Sequence, residues 1–464
     1  MTMRMSGLAF LLFIFFTSDL APEMQGRAPA SQIPTVCTLT LNSSDEKKVF
    51  EQVLKPVGFR FRELLPEKKE AVDSREWLSR ACRDLEQEKV SCDIVLISGH
   101  FGGDLFFGVQ RDSGLRLFMD DLQKHSCENS CQALLGKAAH VFLMGCNTLA
   151  GKDPDHRSQE DYVQVLRADG VGELDAHRIA QARYGPFSQN FRDQMRQVFF
   201  GSTQLLGFHS VSPAGARVAP ALRAFLKAVE AGDPARLKSA LLERSSSGEN
   251  SSVARSYLRV LNQYGFLAAS ARGIDSHSKE QIRKIRENVC TLRDSERWYS
   301  ERMDFMAEWM RTEDALAYLP TLMIFFRQWP PELVNGGLGY ADPREQSAWM
   351  RLSQARPRGY LEATQQQTMG FSRFQWMLLG YQMGWISLEQ GISEMKRSLS
   401  VLWKRRGARL DSDTVDFLCQ VAPSLPIAFR EWVESRELSH LRSSRPHYPR
   451  LIHCLKDRSA QPHP

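Results

Sequence analysis

Asp93-Ile-Val-Leu-Ile-Ser-Gly-His100-Phe-Gly-Gly103 and His140-Val-Phe-Leu-Met-Gly-Cys146-Asn-Thr-Leu-Ala-Gly151 are the two stretches that decide the fold. Each is a short apolar run without helical period that stops at glycine beside one reactive side chain. Runs of this length rich in Val, Ile and Leu suit strands buried on both faces, as in a parallel sheet. In open α/β sheets the chemistry gathers beyond the carboxyl ends of such strands. A histidine at one strand end and a cysteine at the next therefore predict a proton carrier and a nucleophile close in space, although about 45 residues separate them along the chain.

Working outward from the pair, Val36–Leu41 alternates like a strand and Asn42–Asp45 supplies turn and N-cap chemistry. A helix over about 46–54 follows, then a second alternating segment at Phe59–Leu65, and a helix from Ser74 through Trp77, Leu78, Cys82 and Leu85. Between the two blocks, Leu105–Val109 reads as a short strand or hairpin arm, and 115–139 as mostly helical. After Cys146, helices are expected at roughly 159–168, 173–183 and 188–200, then a strand at Gln204–Phe208 and an amphipathic helix at Val218–Val229. That order predicts an α/β fold, a mostly parallel sheet with helices on both faces.

Beyond about residue 245 the composition changes. Ser245-Ser-Ser-Gly-Glu-Asn-Ser-Ser252 is linker-like, nearly everything after it has helical period, and eight of the nine tryptophans lie between Trp298 and Trp432. Those aromatics are expected to pack helix on helix. The chain is thus read as an export signal and linker (1–30), a sheet domain (31–240), a linker (241–256), an all-α C-terminal domain (257–442) and a basic, Pro-rich tail (443–464). The helical domain carries no motif that converts to chemistry; its expected use is to dock a protein partner, present substrates or restrain the site.

With 464 residues, 42% hydrophobic and 25% charged, the chain belongs with folded proteins of two or three domains. A net charge of +6 on this length, with no basic stripe, makes no case for nucleic acid. Met1-Thr-Met-Arg-Met followed by the apolar run Gly7–Phe16 has the form of an export signal, with Ala28-Pro29-Ala30 as a small-residue cleavage site. No other stretch is long and apolar enough to span a membrane. Nine cysteines in an exported chain leave one thiol over. The economical assignment keeps Cys146 free and pairs others, with Cys127–Cys131 and Cys419–Cys454 expected from proximity alone.

A thiol at neutral pH is mostly protonated, with an ordinary pKa of about 8.5. Acyl transfer needs a neighbour to take that proton and donors for the oxyanion. His100 suits the first task. Gly99, Gly102 and Gly103 around it, and Gly145 before Cys146, permit the close backbone approach that the second requires.

Ile97-Ser-Gly-His100 and Leu143-Met-Gly-Cys146-Asn-Thr148, in that order and each at a strand end, resemble the caspase-like cysteine peptidases, most closely the CHAT-domain and separase members of that clan. Gln204–Gly207 followed by a helix from Val218 is similar to the closing strand and helix of a CHAT domain. The resemblance covers roughly residues 36–230. It implies that His100 is the general acid/base and Cys146 the acyl-forming nucleophile of an exported cysteine endopeptidase acting on protein or peptide. Backbone N–H groups at Gly99, Phe101, Gly102, Gly145 and Cys146 would line the oxyanion hole. One position departs from the pattern: Phe101 follows the histidine where the clan has glycine, and Gly102 comes one place later. The departure keeps open a catalytically inactive, secreted binding protein on the same scaffold, and a thiol acyltransferase is a third class.

In this clan the loops after the cysteine and after the next strand read the substrate. Asp153 and Asp155, with Glu160 and Asp161, form either an anionic pocket for Arg or Lys or a solvated charged loop, and the second is the commoner outcome. Ser210 and Ser212 are expected beside the cleft because they follow a strand end. No metal or cofactor is expected: His100, Asp104 and His156 lack ligand spacing, Gly99–Gly103 is no phosphate loop, and Asp169–Asp175 lacks the ligand pattern of a calcium loop.

Overall fold

Strands and helices alternate along the first half of the chain, and the alternation builds the expected sheet. The computed structural model describes residues 33–66, 74–108, 114–151, 157–230, 266–270, 278–319, 342–367, 371–405, 415–440 and 453–455, less a few positions within those spans. The export-signal segment, both linker boundaries and most of the basic tail lie outside them. So do Asp153 and Asp155.

Strands β1 (Thr35–Thr40), β2 (Arg60–Glu63) and β3 (Ile94–Ser98) are interleaved with helices α1 (Asp45–Leu54) and α2 (Ser74–Gln87). Three short strands follow: β4 (His100–Phe101), β5 (Leu105–Phe107) and β6 (Arg116–Phe118). Helices α3 (Met119–Cys127) and α4 (Gln132–Leu135) lead to β7 (His140–Met144). Then come α5 (Gln159–Ala168), α6 (Glu173–Tyr184), α7 (Phe191–Val198), β8 (Gln204–Phe208) and α8 (Gly215–Glu230). The main sheet has the order β2-β1-β3-β7-β8-β9, where β9 is Phe266–Ser270. Its first five strands are parallel and β9 is antiparallel to β8.

The continuous apolar runs are explained by burial on both faces. Side chains alternate across a strand, so Val95 and Ile97 pack beneath α2, α4 and α7, in a core with Trp77, Leu78, Leu134, Met195 and Val198. Ile94 and Leu96 face the other way, onto α1 and α8 with Val49, Phe50, Val218 and Leu222. Two sequence expectations give way here. Residues 115–139 are not one helical stretch: Arg116–Phe118 is a strand, because the β5 arm needs a partner, and β4-β5-β6 form a separate antiparallel sheet. The region 257–442, expected to be helical throughout, contributes β9 to the main sheet. Among the described residues its remaining long elements are helices: α9 (Lys279–Arg293), α10 (Tyr299–Met310), α11 (Pro343–Gln354), α12 (Tyr360–Gln366), α13 (Phe371–Gln382), α14 (Leu388–Arg405) and α15 (Ile427–His440).

Four disulfides join Cys37 to Cys92, Cys82 to Cys131, Cys127 to Cys290 and Cys419 to Cys454, and leave Cys146 as the free thiol. The fourth pair and the free cysteine agree with expectation, whereas Cys127–Cys131 is wrong. Nearness in sequence is not the criterion; paired Cα atoms must stand about 4.4–6.8 Å apart with converging side chains. The chain turns through left-handed Asn129 (φ 53°), so that Cys131 meets Cys82 of α2 while Cys127 meets Cys290 of α9. Four disulfides accord with an oxidising compartment. Replacing Cys82 and Cys131 together by alanine is expected to lower stability by about 2–4 kcal/mol, measured as a shift of the urea midpoint. No helix among the described residues is long and apolar enough to cross a membrane.

Candidate active site

Parallel pairing of β3 with β7 aligns Ser98 with Met144, so the segments starting at Gly99 and Gly145 leave the sheet side by side at its carboxyl end. Both glycines are required by close packing. A Cβ on Gly145 would lie 2.7 Å from the Gly99 carbonyl oxygen, and one on Gly99 would lie 3.0 Å from the Phe107 carbonyl and 3.1 Å from Leu41 Cβ. Their role is to let the two strand ends and the loop after β1 converge.

Directly after Gly99 the chain enters the small sheet, with His100 opposite Phe107 and Phe101 opposite Phe106. The two side chains therefore point to opposite faces. Phe101 is buried, its ring 4.7 Å from that of Phe106 and 5.3 Å from that of Phe191. Gly102 N–H donates to Leu105 O at 2.9 Å and closes the β4–β5 turn. That bond removes Gly102 from the expected oxyanion donors.

His100 is half-buried. Its Nε2 lies 3.1 Å from Nδ2 of Asn42, and its ring stands 5.4 Å from that of Phe107. Asn42 is brought there because Leu41 N–H donates to Ser98 O at 2.8 Å, which ties the end of β1 to the end of β3. Burial pulls the imidazole pKa below its ordinary value, and the Asp169 carboxylate opposes that shift.

The cysteine turn is tied to the end of β8. Leu149 N–H donates to Phe208 O (2.9 Å), and Asn147 N–H to Ser210 O (2.8 Å). Thr148 Oγ1 accepts from Phe208 N–H at 3.2 Å and lies 3.0 Å from Leu143 O as a donor. Asn147 adopts a left-handed conformation, φ 59°. These bonds carry Ser210 and Ser212 to the cysteine turn, and Ser212 meets the thiol through its backbone. Its N–H donates to Cys146 Sγ at 3.3 Å, and its carbonyl oxygen is 4.0 Å from the same sulfur. Ser210 Oγ accepts from Arg157 Nη1 at 2.5 Å.

Cys146 is only 6% exposed. Burial pushes its pKa up to about 11; the Ser212 N–H, the cysteine's own N–H and Arg157 pull it down, and Asp169 adds to the rise. Tyr162 and Asn147 are buried close by. Burial and the neighbouring thiolate raise the tyrosine pKa while the asparagine amide opposes them, yet neither side chain achieves full hydrogen-bond geometry.

Glu160 and Asp161 lie in the first turn of α5, where Asp161 closes a capping box with Ser158 and Glu160 accepts from Gln164. Their places are explained by the start of that helix. Asn42, Asp169, Arg157 and Tyr162 are neighbours of the pair that the sequence reading did not assign to the site. Asp169 has the clearest signal in retrospect, a carboxylate at the end of α5 just before Gly170-Val-Gly172. Burial raises its own pKa, with His100 and Arg217 acting against the shift. No group of three or more His, Cys, Asp or Glu that could hold a metal occurs among the described residues.

The fold and the site define an α/β protein with an imidazole and a buried thiol at adjoining strand ends. No protein-family model, curated protein or solved structure matches the chain.

The burial has a signature in stability. Burial holds the folded Cys146 thiol at about 11, above its value in the unfolded chain. Between those values the unfolded state binds fewer protons, so stability falls as pH rises through the window. About 1 kcal/mol is expected to be lost by pH 10, seen as a falling Tm that Cys146→Ala does not share. On the acid side, His100 and His125 both have folded pKa values lowered by burial. There the unfolded state takes up protons first, so stability declines as pH drops below about 6.5.

Proposed function

We propose that the chain is a caspase-like cysteine peptidase of an oxidising, extracytoplasmic compartment, cutting peptide bonds through Cys146 and His100. The observation that carries this reading is the parallel, in-register pairing of β3 with β7, which releases His100 and Cys146 together at one end of the sheet. His100 takes the thiol proton and the thiolate attacks the scissile carbonyl carbon. The tetrahedral intermediate collapses as the imidazolium gives that proton to the leaving amine, which leaves a thioester. Water, deprotonated by His100, attacks the thioester. The acid departs, and the returning thiolate regains its proton from the imidazolium.

The developing oxyanion requires backbone donors. Gly102 N–H is engaged with Leu105, and in the antiparallel ladder the next residue, Phe101, alternates to the outward-facing pair. Its N–H and that of Cys146 are the donors of this reading, irrespective of the side chain at 101. Asn42 Nδ2 donates to His100 Nε2, which leaves the ring proton on Nδ1 and makes Nε2 the nitrogen that takes the thiol proton, the Asn42 bond giving way as it does so. The Asp169 charge favours the imidazolium. Asp169→Asn is accordingly expected to cut kcat/KM about tenfold and to lower the His100 pKa further, read from the acid limb of the pH–rate profile.

A second reading, a binding protein that retains the scaffold without turnover, is favoured by the covered thiol and its raised pKa. Incubation with a fluorogenic peptide library varied at the residue before the scissile bond separates the two, provided the Cys146→Ala protein is run alongside. Cleavage that vanishes in the variant supports the peptidase. If every peptide survives and Cys146 is no more reactive than a simple thiol after the site is opened, the binding-protein reading replaces it.

A further inference from the structure

Resting on the peptidase reading, we propose that Ser210–Ser212 is an autoinhibitory strap, standing where substrate main chain must lie and holding the enzyme latent until it swings away. A thiolate attacks from about 3–3.5 Å. That space above Cys146 Sγ is filled by this chain's own backbone, with the Ser212 N–H at 3.3 Å and the Ser212 carbonyl at 4.0 Å. The strap offers the sulfur an amide and a carbonyl, the groups that a bound peptide would bring.

Its fastenings are separate from the sheet ladder. The Ser210 carbonyl accepts from Asn147 N–H at 2.8 Å, and the Ser210 hydroxyl from Arg157 Nη1 at 2.5 Å. The first tie joins the strap to the residue after the nucleophile, and the second to the residue just before the Ser158 cap of α5. Upstream, Phe208 is held in β8 by register and by Thr148. The hinge thus falls after Phe208, and a displacement of Ser210–Ser212 uncovers Cys146 without disturbing the sheet. What opens it is the arrival of a peptide that competes for the same backbone donor and acceptor.

The test uses the intact, oxidised protein. Its other eight cysteines are in disulfides, so iodoacetamide has one target, read by intact mass. The rate of that alkylation is compared with amide exchange of the peptide covering Ser212. If the strap gates the thiol, both yield one opening constant, larger than the constant for global unfolding. Ser210→Ala, which removes the Arg157 tie and keeps the guanidinium charge, should raise both rates about tenfold. Alkylation at the rate of an unstructured cysteine peptide overturns the proposal. So does alkylation only at the global unfolding constant, which would place the barrier elsewhere. A matched pair of constants decides for the strap even if Ser210→Ala folds poorly. His100→Ala keeps the two ideas apart: unaltered reactivity of the uncovered thiol would remove the dyad and leave the strap standing.

Discussion

On the peptidase reading, Cys146→Ala is expected to reduce peptide hydrolysis by a factor on the order of 10⁴ or more while leaving the fold in place. The size follows from the chemistry. Without the sulfur there is no thioester route, and what remains is binding and oxyanion donors acting on a water that no group positions. Stability should change little by comparison, about 1 kcal/mol at pH 7, because the sulfur is small and its one close partner is a backbone amide. Comparing initial rates on a cleaved peptide with Tm for the same preparations separates the two quantities. A variant that retained a tenth of the wild-type rate would rule out Cys146 as the nucleophile.

The second large effect concerns Phe101. Phe101→Gly puts glycine where the caspase-like pattern has it after the histidine, and the packing around position 101 makes that change a loss. The phenyl ring is 2% exposed and packs against Phe106 and Phe191. Its removal should cost about 3–5 kcal/mol, seen as a large drop in the urea midpoint. Nothing would be gained at the oxyanion, since the N–H at position 101 is present whichever side chain is attached. Phe101→Leu fills most of the volume and should cost under about 1.5 kcal/mol with hydrolysis largely preserved. A faster Phe101→Gly enzyme would mean that the ring constrains the site in a way its core packing does not reveal.

Much of this was legible in the chain. The runs ending at Gly99 and Gly145 announce buried parallel strands because two-sided burial leaves no polar alternation, and the register then brings both runs to the same end of the sheet. The odd cysteine count leaves one thiol over, and its place at a strand end marked Cys146 as that one. Ser210 and Ser212 could be anticipated by the rule that loops follow strand ends. What could not be read depends on contacts between distant segments. Asn42 reaches His100 across 58 residues, and the bond from Leu41 N–H to Ser98 O brings it there. Asp169 reads as the end of a helix until α5 is placed. Gly102 suits an oxyanion hole by type, but the Leu105 bond arises from a turn whose geometry its residues do not announce. The short strand at Arg116–Phe118 lacks the length for a visible alternation, and β9 follows a linker-like run that argues for a new domain.

The Cys127–Cys290 bond joins residues 163 positions apart and anchors α3 to α9. Arg286 adds a bond to the Ser126 carbonyl and Arg293 one to Asp120. Any nick between residues 128 and 289 would therefore sever the polypeptide without freeing either fragment. The cut protein would run as a single species on a gel until a reductant was added. Clipping inside that loop yields a two-chain molecule whose halves are parted by electrons and not by dilution.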